Sequence, residues 1–349
     1  MRKNGKMGCL SLLLLSPLTM AMQPMDDQSL ASTTGQDGIN IGVNVSKIEF
    51  QQVSVIDPDG WDTKTVAATE YRGRAALVFA QSPNATVSNP SITFKAGGAA
   101  SELDLKAVID TDKGTGTNVA FANIAVSFGN VDEFVISPLS IYAAADSTGV
   151  LSSVNGSTYT RGSIFNSNPS ALKTGVKELL RLEDGLNVKF LSSNKPKMNI
   201  QLGAAPQGQM IRFGGAIDSV CGTGIGCKMM LVSGYEGDNI LKDPIGASFN
   251  FQLKASNSTT GFGLDKFYVS IIGESGSGPN DQGALVFGNE GKSDSIDLKL
   301  SNVQFGNAAT IPATTDAAYR FNGLQNSSIG NIGFTNASVT DLKMRVSGM

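Results

Sequence analysis

The chain has 349 residues, a formal net charge of −3, 7% aromatic residues, one tryptophan and no histidine. The lack of histidine excludes Ser-His-Asp and Cys-His catalytic arrangements and any His-ligated zinc or haem. A mildly acidic chain without a basic cluster is a poor candidate for binding nucleic acid. We therefore expect a protein that is not an enzyme and that uses no cofactor.

The first 21 residues have the pattern of an export signal. Arg2, Lys3 and Lys6 precede a short leucine-rich core, which is followed by small residues at positions 19–21. The apolar run is too short to span a bilayer, so we expect residues 1–21 to be removed and no transmembrane segment to remain. Residues 22–38 would then form the leader segment of the mature chain.

Alternation of apolar and polar residues dominates the rest of the chain. It is clearest at residues 39–45, 186–190, 198–202 and 342–346, and turn-forming clusters such as residues 57–60 and 278–281 separate such segments. The pattern predicts an all-β fold, either an elongated, mostly antiparallel β-sandwich or a stacked, solenoid-like sheet, with one or two short helices. We expect two β-rich halves, residues 39–167 and 186–349.

The first alternating segment has two interpretations. Ile39, Ile41, Val43 and Val45 alternate with small or polar residues. This segment would be either the first strand of the sheet or a donor strand that completes a neighbouring subunit, since it follows a flexible leader.

Three carboxylates surround the next turn, at Asp57, Asp59 and Asp62. They are weak candidates for a calcium site, because position 68, where an EF-hand loop has a bidentate glutamate, is Ala68. An ordinary turn explains the same residues without a metal.

Two segments have helical patterns. Residues 169–183 carry an apolar stripe, with Asn168 as a cap and Gly185 beyond the end, so we expect a short helical connector over residues 168–185. A shorter helix is predicted over residues 26–33.

Beyond the signal the chain has two cysteines, Cys221 and Cys227, separated by five residues of which three are glycine. In an exported chain this pair is expected to form a disulfide, since oxidising compartments favour it. Two free thiols and a redox pair are the alternatives. We expect the disulfide to fix the tip of a hairpin.

Asp27, Leu30 and residues 35–38 lie directly after the signal and before an alternating strand, and residues 328–334 form a later strand rich in Gly and Asn. In these residues the chain resembles a group of exported, β-rich Gram-negative proteins, some of which are named Fil-type pilus assembly proteins. The resemblance implies a role in a surface appendage or its assembly, with other subunits or assembly factors as partners. It implies no catalytic residues.

The sequence thus predicts an exported structural or assembly component of a pilus-related or fimbria-related appendage. Its location would be the cell surface, the extracellular space or the periplasm of a Gram-negative bacterium. The alternatives are a secreted or periplasmic binding module for glycan or calcium, and a histidine-free β-helical polysaccharide lyase or hydrolase.

Overall fold

The computed structural model describes residues 38–57, 74–83, 91–98, 100, 102–115, 119–145, 154–155, 158–159, 162–166, 171–235, 240, 244–273, 283–307 and 329–347. Their regular structure is entirely β-strand, and no helix among them is long and apolar enough to cross a membrane. The strands are β1 (Ile39–Val45), β2 (Ile48–Phe50), β3 (Gln52–Asp57), β4 (Ala75–Ala80), β5 (Ile92–Ala96), β6 (Leu103–Asp112), β7 (Phe121–Phe128), β8 (Glu133–Ile136), β9 (Leu139–Ala145), β10 (Val154–Asn155), β11 (Thr158–Tyr159), β12 (Val176–Leu182), β13 (Leu186–Phe190), β14 (Lys197–Gly203), β15 (Ile211–Gly214), β16 (Ala216–Val220), β17 (Cys227–Tyr235), β18 (Pro244–Ala255), β19 (Phe262–Gly263), β20 (Phe267–Ile272), β21 (Ala284–Asn289), β22 (Ile296–Asn307), β23 (Gly330–Ala337) and β24 (Lys343–Ser347).

The chain divides into two compact units, Met1–Ile39 and Asn40–Met349. Gly38 and Ile39 are the described residues of the first unit. Every strand from β2 onward, and all of β1 except Ile39, therefore belongs to the second unit.

The strands form eight successive rows, each of which is one pass of the chain across the molecule's two large sheets. The rows are β1–β3, β4–β6, β7–β9, β12–β14, β15–β17, β18–β20, β21–β22 and β23–β24, and the short β10–β11 hairpin lies outside them. Sheet A takes one strand from each row, in the order β1-β6-β7-β14-β15-β20-β21-β24. This order follows the chain without a crossover.

Sheet B holds the remaining strands of the rows. Two ladders, β2-β5-β8-β13-β16 and β3-β4-β9-β12-β17, meet on β18, a strand of 12 residues that also pairs with β22. β23 then pairs with β22. Successive rows run in opposite directions, as the antiparallel pairs β3–β4, β6–β7 and β17–β18 show. The predicted all-β, antiparallel class is confirmed, and the row order is that of a stacked sheet.

Aromatic side chains link the rows where the two sheets meet. The ring of Phe134 in β8 lies 5.2 Å from the rings of Phe94 and Phe128 and 5.4 Å from that of Phe190. Phe128 belongs to sheet A and the other three to sheet B. These contacts therefore join three rows and both sheets, with edge-to-face geometry in two of the three pairs.

The helix predicted over residues 169–183 is wrong, because residues 176–182 form β12. β12 pairs with β9 on one edge and β17 on the other, and two ladders of hydrogen bonds outweigh a weak helix propensity interrupted by Gly175. The predicted connector is thus a strand of sheet B, and strands from both sides of it share both sheets. The helix predicted over residues 26–33 lies outside the described residues.

The predicted disulfide between Cys221 and Cys227 is confirmed, with Cα atoms 5.3 Å apart. Its predicted place at a hairpin tip is wrong. Val220 pairs with Leu253 and Cys227 with Phe251, so β16 and β17 run in the same direction along one edge of β18. The disulfide therefore closes a loop that leaves this edge and returns to it two residues further along.

Two contacts hold this loop against β18. The side-chain amide of Gln252 donates a hydrogen bond to the carbonyl oxygen of Cys221 at 3.3 Å. Gly226 has φ +101°, and a Cβ there would lie 2.3 Å from the carbonyl oxygen of Phe251. Only glycine accommodates both this backbone conformation and this approach.

Replacing both cysteines by serine should lower the free energy of unfolding by roughly 2 kcal/mol, because the closed loop is short. Urea unfolding monitored by far-UV circular dichroism measures the change. The wild-type protein unfolded in the presence of a reductant should show the same loss. Equal stability of the oxidised, reduced and serine forms would contradict this account.

Candidate functional site

Among the residues that the structure describes, the strands at the two ends of the stack are paired on one edge only. In sheet A, β1 pairs with β6 and β24 with β21; in sheet B, β2 pairs with β5, β3 with β4, and β23 with β22. β1 and β23, with the sequences INIGVNV and GNIGFTNA, contain neither charge nor proline. Natural proteins commonly protect edge strands with charged residues or proline. These two edges are therefore open to pairing.

At two cross-strand pairs, the apolar side chain in the end row is more exposed than its partner in the neighbouring row. Ile48 is 48% exposed, whereas its cross-strand neighbour Phe94 is half-buried. Met344, 52% exposed, lies opposite the half-buried Phe287. A residue in an inner row is covered by neighbouring rows on both sides, whereas a residue in an end row is covered on one side.

The predicted donor segment forms β1, the first strand of sheet A. Val45 packs against a core cluster around Val131 that also includes Phe128 and Phe134. Ile39, Ile41 and Val43 are exposed. The segment is thus the first strand of its own sheet, and its role as a donor to a neighbouring subunit stays a prediction.

Sheet B also exposes an apolar face, in addition to its ends. Direct cross-strand pairs place seven apolar residues in one line: Val53, Phe79, Ile141, Leu180, Leu231, Ala247 and Phe305. Val53, Leu231 and Phe305 are exposed, Phe305 by 63%. With adjacent strands about 4.8 Å apart, this line is roughly 29 Å long. We call these seven residues the apolar face.

The opposite face of the same strands is buried. Ile164 and Phe165 pack over it, with the Phe165 ring 6.0 Å from that of Tyr142. Gln52 holds this segment in place, since its amide nitrogen donates to Gly162 O at 3.0 Å and its oxygen accepts from Ile164 N at 3.3 Å. Because this side of the strands is covered, the side that carries the apolar face is the exposed one.

A buried ion pair lies on the covered face. Arg181 donates two hydrogen bonds to Glu178, from Nε to Oε1 at 2.9 Å and from Nη2 to Oε2 at 2.8 Å. Ser140 Oγ donates to Oε1 at 2.5 Å, and the Tyr235 hydroxyl donates to Oε2. All four acceptor positions of the carboxylate are therefore occupied. Glu178 also lines a cavity of about 750 Å³, but it has no acceptor left for a ligand there.

A β-bulge brings the two charges together. Residues three apart on a regular strand point to opposite faces. The register shifts between Glu178 and Leu180, so Leu179 is an extra residue in the strand. It returns Arg181 to the face of Glu178. Sequence reasoning missed this pair, although opposite charges within the apolar run VKELLRL were a signal for it.

Burial and charge shift the pKa values of the surrounding groups. Burial, together with the Glu178 charge, raises the pKa of Tyr142 and of Tyr235 far above the usual value. Burial alone would lower the pKa of Arg181, but its hydrogen bonds and charge interaction with Glu178 outweigh this and raise it. The cluster therefore favours neutral tyrosines around one ion pair.

Of the three calcium candidates, only Asp57 lies in the described part of the chain. It is the last residue of β3, opposite Ala75. Asp59 and Asp62 lie outside that part. No group of three or more Asp, Glu, His or Cys residues converges among the residues that the structure describes. A calcium site at this turn stays a prediction.

Residues 3–95 match the model of a family of unknown function (DUF6160). The match ends within β5 and so includes the first row and part of the second. No curated protein and no solved structure matches the chain.

Replacing Glu178 by glutamine should lower the free energy of unfolding by about 3 kcal/mol or more, because it leaves the Arg181 charge buried without its partner. Urea unfolding measures this effect. Glu183→Gln is the matched control: Glu183 Oε2 lies 2.7 Å from Lys228 Nζ, but both side chains are partly exposed, so the expected loss is below about 1 kcal/mol. Similar losses in the two variants would show that Glu178 is not an anchor of the fold.

Stability should also fall as the pH rises above about 10, where tyrosines of the unfolded chain ionise. The raised pKa values of Tyr142 and Tyr235 keep both protonated in the folded state, so the unfolded state alone loses these protons. Unfolding free energies between pH 8 and about pH 11 measure the slope. The double variant Tyr142→Phe/Tyr235→Phe should have a flatter slope, and an unchanged slope would contradict the assignment.

Proposed function

We propose that this chain is an exported, non-enzymatic component of a cell-surface appendage related to pili or fimbriae, and that it acts through its strand edges. The observation that carries the proposal is the pair of open edges β1 and β23, which lie in the end rows of the stack. An edge strand presents a row of backbone N–H and C=O groups to any strand of suitable geometry. A protein that assembles with others uses such edges.

Two observations support the proposed compartment. The first 21 residues have the pattern of an export signal. Cys221 and Cys227 are joined, and disulfides persist chiefly in oxidising compartments such as the periplasm and the cell surface. Both support export from a Gram-negative cell.

The apolar face supports an assembly role independently of the edges. Exposed contiguous apolar surfaces commonly mark sites of protein interaction. In this chain the face crosses seven strands, from β3 to β22, and the chain's own residues 164 and 165 pack over the reverse side of β4, β9 and β12. It gives the protein a lateral contact surface in addition to its two ends.

Shearing of intact cells, followed by western blotting of the released material, tests the proposal. We expect the chain in the sheared fraction and, by immunogold electron microscopy, along filaments. A soluble periplasmic protein serves as the leakage control and should stay with the cells. Retention of the chain with that control, or label confined to the cell interior, would refute a place in the appendage.

A further inference from the structure

We infer that the partner at the open ends is a second copy of this chain, with the eighth row of one copy paired antiparallel to the first row of the next. The inference rests on the proposed function and adds the identity of the partner. It depends on the direction of the end rows, on the side chains that they carry and on their charges.

The direction of the end rows suits continuation of the stack. The first row runs from sheet A to sheet B, because β1 precedes β2 and β3. The eighth row runs from sheet B to sheet A, because β23 precedes β24. A second copy added at the end, with its sheets in line with those of the first, therefore places β1 antiparallel to β24. The junction has the same strand geometry as every boundary between rows.

In sheet A, the apolar side chains of the first and eighth rows lie on the same side of the sheet at such a junction. Direct cross-strand pairs carry one face from the third row to the eighth, through Ile124, Ile200, Ile211, Val269, Phe287 and Met344. Phe128, four residues after Ile124, lies on this face and packs against the same buried cluster as Val45 of β1. The exposed Ile41 and Val43 of β1 and Met344 of β24 thus belong to the same face, and a junction would cover them together.

Sheet B matches in the same way. Ile48 of β2 lies opposite Phe94, and Phe334 of β23 lies opposite Leu298. Leu298 connects through Leu253, Val220 and Val188 to Phe134, whose ring contacts that of Phe94. Ile48 and Phe334, both exposed at their ends, therefore lie on one face of sheet B.

A second copy also fits the length and path of the end rows. The first row has strands of 7, 3 and 6 residues, and the eighth has strands of 8 and 5. With their connections they approach the roughly 20–30 residues per side of a specific interface. A single donor strand would pair with the edge of one sheet, whereas a row that crosses from one sheet to the other would pair with the edges of both.

Charge favours contact between unlike ends over contact between like ends. β24 carries Lys343 and Arg345, so two copies of β24 side by side would oppose like charges. The corresponding face of β1 carries Asn40, Gly42 and Asn44 and no charge. Contacts between unlike ends do not close on themselves unless the rotation forms a ring, so they generate a filament.

Two end variants of the purified chain from residue 22 onward test the inference. Ile41→Lys places a charge on the first row, and Met344→Lys places one on the eighth. Each charge would be buried at the junction without a partner, which should weaken association at least about tenfold. Sedimentation velocity and negative-stain electron microscopy should show filaments for the wild type and monomers for each variant alone. Circular dichroism and thermal melting confirm that the variants are folded.

An equimolar mixture of the two variants is the decisive measurement. Each keeps one intact end, so the mixture should form one-to-one dimers and no filaments. Leu202→Lys is the control, since Leu202 is 50% exposed on the fourth row, away from both ends and outside the apolar face, and this variant should assemble like the wild type.

Three results would overturn the inference: a wild-type chain that stays monomeric, a mixture that forms no dimer, or loss of assembly in Leu202→Lys alone. A monomeric chain that is still recovered with sheared surface material would leave the proposed function standing with a different partner. Filaments in vitro from a chain absent from the cell surface would refute the proposed function and leave the inference standing.

Discussion

Antiparallel hydrogen bonding between successive rows is the constraint on which this structure depends. Backbone N–H and C=O groups need partners, and each row supplies them to the rows before and after it. Because the strand order in sheet A follows the chain, most contacts join rows that are neighbours in sequence. Nothing in this arrangement limits the number of rows to eight, and in the described part of the chain the outer edges of the first and last rows have no strand partner.

The same arrangement explains the two different faces of sheet B. Ile164 and Phe165 pack over one face, against Tyr142 and Val176, and the Glu178–Arg181 pair is buried on the same face. A buried ion pair adds little net stability, but it penalises any arrangement that separates the charges. It therefore fixes the register of β9, β12 and β17, while the apolar face on the other side remains exposed.

The disulfide has a comparable role at the place where the two ladders of sheet B join. β16 and β17 lie along one edge of β18, and the loop between them would otherwise be free to shift the second strand relative to the first. Closing the loop holds both strands in register with β18. The longest of the described strands, β18 and β22, then extend across both ladders.

The sequence by itself determined the fold class, the disulfide pair and the first strand, because each depends on local information: a period of two, two cysteines in one short segment, and alternation after the leader. The tertiary structure decided the fate of residues 176–182. Their leucine spacing fits a helical stripe, but the edges of β9 and β17 and a bulge at Leu179 make them a strand. It also decided that the disulfide connects β16 and β17, which run in the same direction along one edge of β18, and that Tyr235 donates a hydrogen bond to Glu178. Both depend on which strands become neighbours. The order of the rows, and with it the open ends and the apolar face, is likewise a property of long-range pairing that no local pattern contains.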